Sequence, residues 1–262
     1  MPAEMAEPLT VVVPCYNEAE RLNGAPLLAF LDDRPEARLV FVNDGSTDAT
    51  ADRLAALAAE RPARISVVSL NPNGGKAEAV RQGMLAALAA GARVVGYLDA
   101  DLSTPPGELP RLVDALGRPG VEVALGARVA LLGTDIHRSP VRHYLGRVFA
   151  SIASVVLQAR IYDTQCGAKL FRASPALSAA LGEPFLSRWA FDVELLGRLL
   201  AGRTGIPPLP LTAIVEVPLA TWRDVKGSKL GPVAMARTLK EMATIGIDLA
   251  ARRRVPKVSG RS

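Results

Sequence analysis

The chain has 262 residues, with 31 Lys and Arg against 26 Asp and Glu, a formal charge of +5, and 49% hydrophobic residues. These values are typical of a globular protein and exclude a disordered chain. Only two cysteines are present, Cys15 and Cys166, which excludes a disulfide framework and favours reduced thiols.

The positive charge is concentrated in the second half of the chain. Residues 1–127 contain 11 basic and 17 acidic side chains, whereas residues 128–262 contain 20 and 9. A basic half of this kind favours an anionic partner, such as a phosphate, a nucleic acid or an acidic membrane surface. Nucleic acid is disfavoured because only 5% of the residues are aromatic and no RNA- or DNA-binding motif is recognisable.

The first half alternates short β-branched runs with Ala- and Leu-rich stretches. Strands are predicted at Leu9–Val13, Leu39–Val42, Ile65–Leu70, Arg93–Leu98 and Val121–Leu125. Helices are predicted near Glu18–Leu31, Asp48–Arg61, Lys76–Ala90 and Glu108–Leu116. This order predicts an α/β fold, a Rossmann-like and mostly parallel sheet flanked by helices, with ligands at the carboxyl ends of the strands.

The second half is less regular. In chain order the patterns predict a basic amphipathic stretch at Arg138–Ala159, a polar turn at Tyr162–Lys169, a helix at Ala190–Leu200, a Pro-rich loop at Pro207–Pro210, a strand at Ala213–Val217 and a long helix at Pro232–Arg254. We expect a single domain over residues 1–255, with two halves (1–127 and 128–255), and a loose tail (256–262).

Acidic residues follow two of the predicted strands. Asp99 and Asp101 flank a small residue, so an extended backbone points both carboxylates the same way. Such a pair suits a hard divalent cation that bridges two phosphate oxygens; the alternative is an ordinary acidic turn. Asp44 either accepts from a base or ribose or belongs to an Asx turn with Gly45 and Ser46.

Basic residues in the second half suit phosphate oxygens. Arg128 directly follows the run Val121–Ala127, and Lys229 stands in a Gly-Ser-Lys sequence that exposes backbone amides beside an ammonium. Arg223 and Lys226 belong to the same charged loop as Lys229, which alternatively is only solvated.

Seven motifs resemble a known family. VVVPCYNEAERL, FVNDGSTDAT, NPNGGKAEAVRQGM and YLDADLSTPPGEL resemble the nucleotide-binding half of the family 2 glycosyltransferases, which have the GT-A fold. YDTQCGAKLF, SRWAFDVELL and WRDVKGSKL are similar to the dolichyl- and polyprenyl-phosphate sugar synthases, most of all the dolichyl-phosphate beta-glucosyltransferase branch. The resemblance covers about residues 9–250, with two departures: Ala77 replaces a common Gly and Ala168 a common Phe.

The resemblance implies an inverting glycosyltransferase that moves a hexose, with glucose favoured, from a nucleotide sugar to a polyprenyl or dolichyl phosphate. UDP-glucose is the favoured donor and GDP-mannose the other. The residues implied to hold the nucleoside are Pro14, Tyr16, Glu18 and Asp44, and Lys76 is implied to approach the base or ribose. Asp99 and Asp101 are implied to engage the ribose and Mg²⁺ or Mn²⁺. The loop that contains Arg223 and Lys229 is implied to close over the donor diphosphate and the acceptor phosphate.

Each of these residues also has a purely structural interpretation. Tyr16 alternatively packs at an edge, Glu18 lies in a first helical turn, and Lys76 is solvated. Asp163 and Asp192 are predicted to recognise sugar hydroxyls, or to act as a base if the acceptor is a hydroxyl; Asp192 alternatively caps a helix. A phosphate acceptor with a second pKa of about 6 needs no strong base.

A lipid acceptor has to be reached from the bilayer surface. The longest runs without a charged residue have 12 residues, fewer than the roughly 20 of a spanning helix, and the acidic N-terminus lacks a signal sequence. We therefore expect a cytoplasmic enzyme, peripheral on the cytoplasmic face, that binds an anionic membrane through Arg138–Arg147 and through Pro232–Arg254, which ends in Arg252, Arg253 and Arg254. The alternative is that both helices pack on the core.

Two other functions compete with this one. The first is a soluble glycosyltransferase that acts on the hydroxyl of a small molecule or saccharide. The second is a nucleotide-sugar-binding protein without turnover, against which the joint presence of Asp99, Asp101, Asp163 and Lys229 argues.

Overall fold

The computed structural model describes residues 7–137, 140–223 and 232–254, and within these it leaves the side chains at 137, 140–143, 145 and 232–237 undescribed. Nine strands are described: β1 (Leu9–Cys15), β2 (Ala37–Asp44), β3 (Ile65–Leu70), β4 (Val94–Leu98), β5 (Val123–Ala127), β6 (Asp135–His137), β7 (Ala168–Arg172), β8 (Ile214–Pro218) and β9 (Thr221–Arg223). The described helices are α1 (Ala25–Asp33), α2 (Thr50–Glu60), α3 (Lys76–Ala89), α4 (Leu109–Leu116), α5 (Pro140–Leu157), α6 (Pro175–Leu181), α7 (Phe191–Ala201) and α8 (Pro232–Arg254).

Seven of the strands form one sheet in the order β3-β2-β1-β4-β7-β5-β8, and β6 pairs with β9 in a separate ribbon. Neighbours are parallel except at β7, which runs antiparallel between β4 and β5. The predicted α/β fold with a mostly parallel sheet is therefore confirmed.

Both faces of the sheet are covered, as the near-continuous apolar strands require. Val11 and Val13 of β1 point to one face of the sheet, which is covered by α1, α2 and α4. Val12 points to the opposite face, which is covered by α3 and by α5 to α8. This burial leaves the carboxyl edge of the parallel strands as the open side of the sheet.

The five strands predicted in the first half are all present, with ends shifted by at most two residues, and the predicted long helix Pro232–Arg254 has the expected bounds. The helix predicted near Glu18–Leu31 is wrong in its first part, because α1 begins only at Ala25. Pro26 fits the first turn of a helix but not its interior, so it fixes that start.

The polar turn predicted at Tyr162–Lys169 is wrong at its end, where β7 begins at Ala168. Lys169 and Arg172 interrupt the apolar pattern of this strand, although Lys169 is fully buried. The short elements α6, β6 and β9 carry no periodic signal and were not predicted.

Among the described residues no helix combines the length and apolar character that a membrane span requires. The sheet joins strands from residues 9–127 with strands from residues 168–218. The predicted tail, 256–262, lies outside the described residues.

Candidate active site

A cleft of about 380 Å³ opens at the carboxyl edge of β1, β2 and β4. It is lined by Pro14, Cys15, Tyr16, Glu18, Arg21, Asp44, Asn73, Gly75, Lys76, Ala79, Asp99, Ala100 and Asp101. Seven of the residues predicted from the sequence therefore share one cavity, whose size is within the range of small-molecule sites.

The wall formed by the segment after β1 combines an exposed ring with a buried carboxylate. Tyr16 is 49% exposed, so it is not a packed edge residue. Glu18 is buried and accepts from Arg21 Nη2 at 2.6 Å and from Arg21 Nε at 3.0 Å. Burial raises the pKa of Glu18, and Arg21 opposes that rise. Arg21 was not predicted as a site residue.

Asp44, at the end of β2, organises the loop that leads into α3. Its carboxylate accepts from Gly74 N at 2.7 Å, Gly75 N at 2.8 Å and Asn73 Nδ2 at 3.0 Å. The Asx-turn alternative for Asp44 is wrong, because Asn43 Oδ1 accepts from Ser46 N instead. Asp44 lines the cleft and at the same time fixes the shape of its floor.

Lys76 is the first residue of α3, and its ammonium lies 2.6 Å from Asp99 Oδ1. Desolvation lowers the pKa of Lys76, but the nearby carboxylates of Asp99 and Asp192 have the larger effect. The pKa is therefore raised above its ordinary value, and the side chain is charged. Lys76 is therefore ion-paired inside the cleft rather than simply solvated.

Asp99 and Asp101 lie in the turn that follows β4, not in the strand itself. Asp101 Oδ1 accepts from Ser103 N at 3.0 Å. Asp99 Oδ1 is buried and accepts no hydrogen bond of good geometry from the described residues; Lys76 is its ionic neighbour. The described residues contain no cluster of three acidic, His or Cys side chains that could hold a metal.

Asp99 and Asp101 nevertheless fit a divalent cation. The buried oxygen Asp99 Oδ1 is paired with the flexible Lys76 side chain, which a divalent cation can replace, and Mg²⁺ sites commonly combine one or two carboxylates with phosphate oxygens and water.

Arg128 and Asp163 form a second polar centre, beyond β5. Nε and Nη2 of Arg128 donate to the two oxygens of Asp163, each at 2.7 Å, and Arg128 N donates at 3.0 Å. Arg128 also lies over the Trp222 ring, 5.3 Å from its centroid. Burial alone would raise the pKa of Asp163, but Arg128 lowers it to about 2. Asp163 is therefore a very weak base at neutral pH.

A shallow groove adjoins this pair. It is lined by Arg128, Gly146, Arg147, Phe149, Ala150, Tyr162, Asp163, Thr164 and Gln165. Arg147 stacks over Tyr162 at 4.2 Å, and the buried hydroxyl of Thr164 has no hydrogen-bond partner among the described residues. The groove thus presents two arginines and an unused hydroxyl.

Asp192 does not cap α7, because the residue at the N-cap is Ala190 and no side chain caps that helix end. Asp192 Oδ1 instead lies 2.8 Å from Lys169 Nζ and accepts from the Tyr97 hydroxyl. Burial raises the pKa of Asp192 to about 7 and lowers that of Lys169 to about 8. Lys169 was missed as a site residue, because a lysine beside Gly and Cys is typical of a turn.

The remaining basic residues are only partly described. Arg223 is exposed at β9 and pairs with Asp135 at 3.0 Å. Lys226, Lys229 and Arg138 lie outside the described residues. At the end of α8, Arg252 pairs with Asp248 and Glu183, and Arg253 donates to carbonyls of α5. These two arginines are engaged within the chain, contrary to the expectation that all three face a membrane.

Comparison with known families gives a match to the family described as glycosyl transferase family 2, over residues 10–177. The dolichyl-phosphate beta-glucosyltransferase of Drosophila melanogaster is 35% identical, over 86% of this chain and 69% of that protein. The Saccharomyces cerevisiae enzyme of the same name is 32% identical, over 85% and 69%. A polyprenol monophosphomannose synthase of Mycolicibacterium smegmatis is 28% identical, over 90% and 86%.

Solved structures share the fold at lower identity. Glucosyl-3-phosphoglycerate synthase from Mycobacterium tuberculosis, in complex with Mn²⁺, UDP-glucose and phosphoglyceric acid, superposes with a TM-score of 0.63 at 18% identity, over 96% of this chain and 81% of that chain. The same enzyme with Mn²⁺, UDP and glucosyl-3-phosphoglycerate gives 0.63 at 19%, over 96% and 82%.

Proposed function

Because this chain belongs to glycosyl transferase family 2, we propose that it transfers a hexose, with glucose favoured, from a UDP-sugar to the phosphate of a polyprenol or dolichol. The names of the relatives with 32% to 35% identity support this acceptor and this sugar. Because one relative is named a polyprenol monophosphomannose synthase, GDP-mannose is the second donor to test.

One observation carries the proposal: Lys76, Asp99 and Asp101 meet in a cleft at the carboxyl edge of the sheet. A nucleoside diphosphate is the ligand class that needs a base-sized cavity, a cation and a carboxylate pair together. In the proposed complex, Pro14, Tyr16, Glu18 and Asp44 surround the nucleoside, and Tyr16 supplies a ring on which a base can stack.

Asp99 and Asp101 would hold Mg²⁺ or Mn²⁺, and Mn²⁺ accompanies UDP in structures that share the fold. Such a cation would supply positive charge at the departing diphosphate. Lys76 adds a second positive charge at the same place, and its flexible side chain can exchange Asp99 for a phosphate oxygen.

We place the acceptor phosphate beside Arg128, at the groove that Arg147 and Tyr162 also line. Arg223, the last residue of β9, and Lys229, which lies outside the described residues, are proposed to reach the same phosphate. Asp163 holds the Arg128 guanidinium with two hydrogen bonds and leaves donors free for the phosphate.

A phosphate acceptor explains why the groove offers cations rather than a base. The acceptor oxygen is already ionised at neutral pH, since its second pKa is about 6. Asp163, with a pKa of about 2, is a poor proton acceptor, and Asp192 is buried against Lys169. The chain therefore contributes alignment and charge neutralisation, and a single in-line displacement inverts the anomeric carbon.

A soluble acceptor with a hydroxyl is the competing function. Its reaction would require a general base within reach of the hydroxyl. Asp192 is the described carboxyl with a pKa near 7, but it has little access to the cleft, because it is 5% exposed and is absent from the cleft lining.

We further propose that the enzyme works as a peripheral protein at the cytoplasmic face of a membrane. Helix α5 packs on the core through Ala153 and Leu157, and α8 does so through Met242, Ile245 and Leu249, as the alternative interpretation predicts. Both helices nevertheless leave large apolar side chains exposed: Tyr144, Val148 and Val155 on α5, and Leu239 and Ile247 on α8. These five residues, the apolar patch, are suited to contact lipid near the acceptor.

The test is a transfer assay with the purified full chain. Radiolabelled UDP-glucose and GDP-mannose are each incubated with Mn²⁺, in the presence or absence of a polyprenyl phosphate, and the lipid phase is extracted. We expect label in the lipid phase only with UDP-glucose and the lipid phosphate. Label that stays in the aqueous phase on a small-molecule product would favour the hydroxyl acceptor, and no transfer at all would favour the non-catalytic function.

A further inference from the structure

A fully buried lysine lies beneath the cleft and does not line it. Lys169 on β7 is opposite Tyr97 on β4 and is 0% exposed. An isolated ammonium in such a place is very costly, so its partners define its role. They are Asp192 Oδ1 at 2.8 Å, the Cys166 carbonyl at 2.5 Å and the Tyr97 ring, whose centroid is 5.2 Å away.

The bond to Cys166 fixes the turn that touches Asp99. In this turn the Gly167 carbonyl accepts from Asp99 N at 3.0 Å. Gly167 also leaves room for the Asp99 carboxylate, because a Cβ at this position would lie 2.3 Å from Asp99 Oδ2. The turn therefore positions both the main chain and the side chain of Asp99.

The same network reaches Asp99 through β4, the strand that directly precedes it. Asp192, in the first turn of α7, accepts from Lys169 and from the Tyr97 hydroxyl with one oxygen. Tyr97 precedes Asp99 by two residues on β4. Asp192 and Lys169 thus constrain Asp99 from two sides, through Tyr97 and through the Gly167 turn.

We propose that the Lys169–Asp192 pair, held by Tyr97, is a positioning device that sets the Asp99 carboxylate for the diphosphate-bound cation. None of the three side chains lines the cleft, so they act through Asp99 rather than on the substrate. The cation part of this proposal rests on the proposed function; the positioning of Asp99 does not.

The main test variant is Asp192→Asn, which keeps the shape and removes the charge. Tyr97→Phe is a milder variant that removes only one hydrogen bond. The double variant Lys169→Met with Asp192→Asn removes both charges of the pair and leaves no unpaired buried charge. It therefore shows whether an effect of Asp192→Asn comes from the lost contacts or only from the lysine left without a counter-ion.

The matched control is Arg198→Met. It breaks another buried pair on α7, Arg198 with Glu194 at 2.6 Å, whose side chains are 3% and 0% exposed. Its other hydrogen bonds are to the Ala180, Glu183 and Pro184 carbonyls, none of which lines the cleft. The control therefore reports what loss of a buried pair does to the fold alone.

Two quantities are measured on each folded variant. The first is the rate of hydrogen exchange at the Asp99 amide. The second is the affinity for Mn²⁺ in the presence of UDP or GDP, determined from the electron paramagnetic resonance signal of free Mn²⁺. We expect faster exchange at Asp99 and about tenfold or more weaker Mn²⁺ binding for Asp192→Asn and for the double variant, with a smaller effect for Tyr97→Phe. Arg198→Met should match the wild type in both.

The proposal is overturned if the folded Asp192→Asn and double variants exchange and bind as the wild type does, or if Arg198→Met changes both readouts as much. It is also overturned if the double variant regains wild-type values, because charge balance alone then explains the pair. If the wild type binds no Mn²⁺ with either nucleotide, the proposed function fails, and the exchange at Asp99 alone decides the positioning role.

Discussion

The carboxylates around the cleft differ in what they are free to do. Asp44 is bonded to the loop before α3, and Asp163 to Arg128, so both shape the site through other groups. Within the described part of the chain, Asp101 accepts one hydrogen bond, from Ser103 N, and Asp99 is paired with Lys76, whose flexible side chain can move away. Asp99 and Asp101 are thus the pair available to a cation.

Asp101→Asn should lower turnover by roughly 100-fold or more, because an amide oxygen is a poor substitute for a carboxylate on a divalent cation. Folding should be little affected, since Asp101 is only partly buried and an amide oxygen can still accept from Ser103 N. Initial rates over a range of Mn²⁺ concentrations, with a thermal melt, check this. If Asp101→Asn turned over at the wild-type rate in excess chelator, Asp101 would not be a ligand of the cation.

Asp163→Asn should cost roughly 3 kcal/mol of stability at neutral pH, because it leaves the Arg128 guanidinium partly buried without its counter-ion. The folded pKa of Asp163, about 2, is below the unfolded value, so its contribution is full above about pH 4 and is lost as the pH falls towards 2.

Urea unfolding of the wild type and Asp163→Asn between pH 7 and pH 3 measures this dependence. The difference between the two proteins should shrink below pH 4. Asp114→Asn, at an exposed carboxyl on α4, is the control and should show no such difference. A constant difference across the whole range would contradict the Arg128 pairing as its cause.

The elements differ in how much of them the sequence could predict. The runs Leu39–Val42 and Val94–Leu98, which precede Asp44 and Asp99, are apolar throughout, so the order of these strands and their common edge follow from the sequence pattern. The pairing of Arg128 with Asp163, and of Lys169 with Asp192, depends on β7 running antiparallel. No local pattern encodes that direction, so the partners of these side chains were not predictable.

At the level of helices, the apolar patch on α5 and α8 predicts membrane binding that is largely hydrophobic. Val155 and Ile247 are 77% and 74% exposed. Burying a side chain of this size gives about 1.5 to 3 kcal/mol, so the double variant Val155→Asp with Ile247→Asp should weaken vesicle binding more than tenfold.

Co-sedimentation with vesicles of mixed neutral and anionic lipid checks this. Leu211→Asp is the matched control, because Leu211 is 48% exposed and lies on neither helix. Equal loss for the control and the double variant would contradict the apolar patch, and binding abolished by salt alone would indicate a purely electrostatic attachment.

For the whole molecule, β7 joins the two halves into one sheet. It comes from the second half and inserts between β4 and β5, which both belong to the first half. Residues 1–127 expressed alone should therefore fail to form a stable fold, because β4 would have an open edge and Val95, Tyr97 and Val123 would lose the Phe171 that packs with them. Circular dichroism and a thermal melt of this fragment check the expectation; a cooperative transition would contradict it.

The late arrival of β7 also matters while the chain is being synthesised. β4 ends at Leu98 and its partner ends at Arg172, a separation of 74 residues. At roughly 5 to 20 residues per second, β4 waits roughly 4 to 15 s with an unpaired edge after it has been translated. The nascent chain is most exposed to edge-to-edge aggregation in this interval, so a slower translation of the segment between β4 and β7 should lower the yield of folded protein.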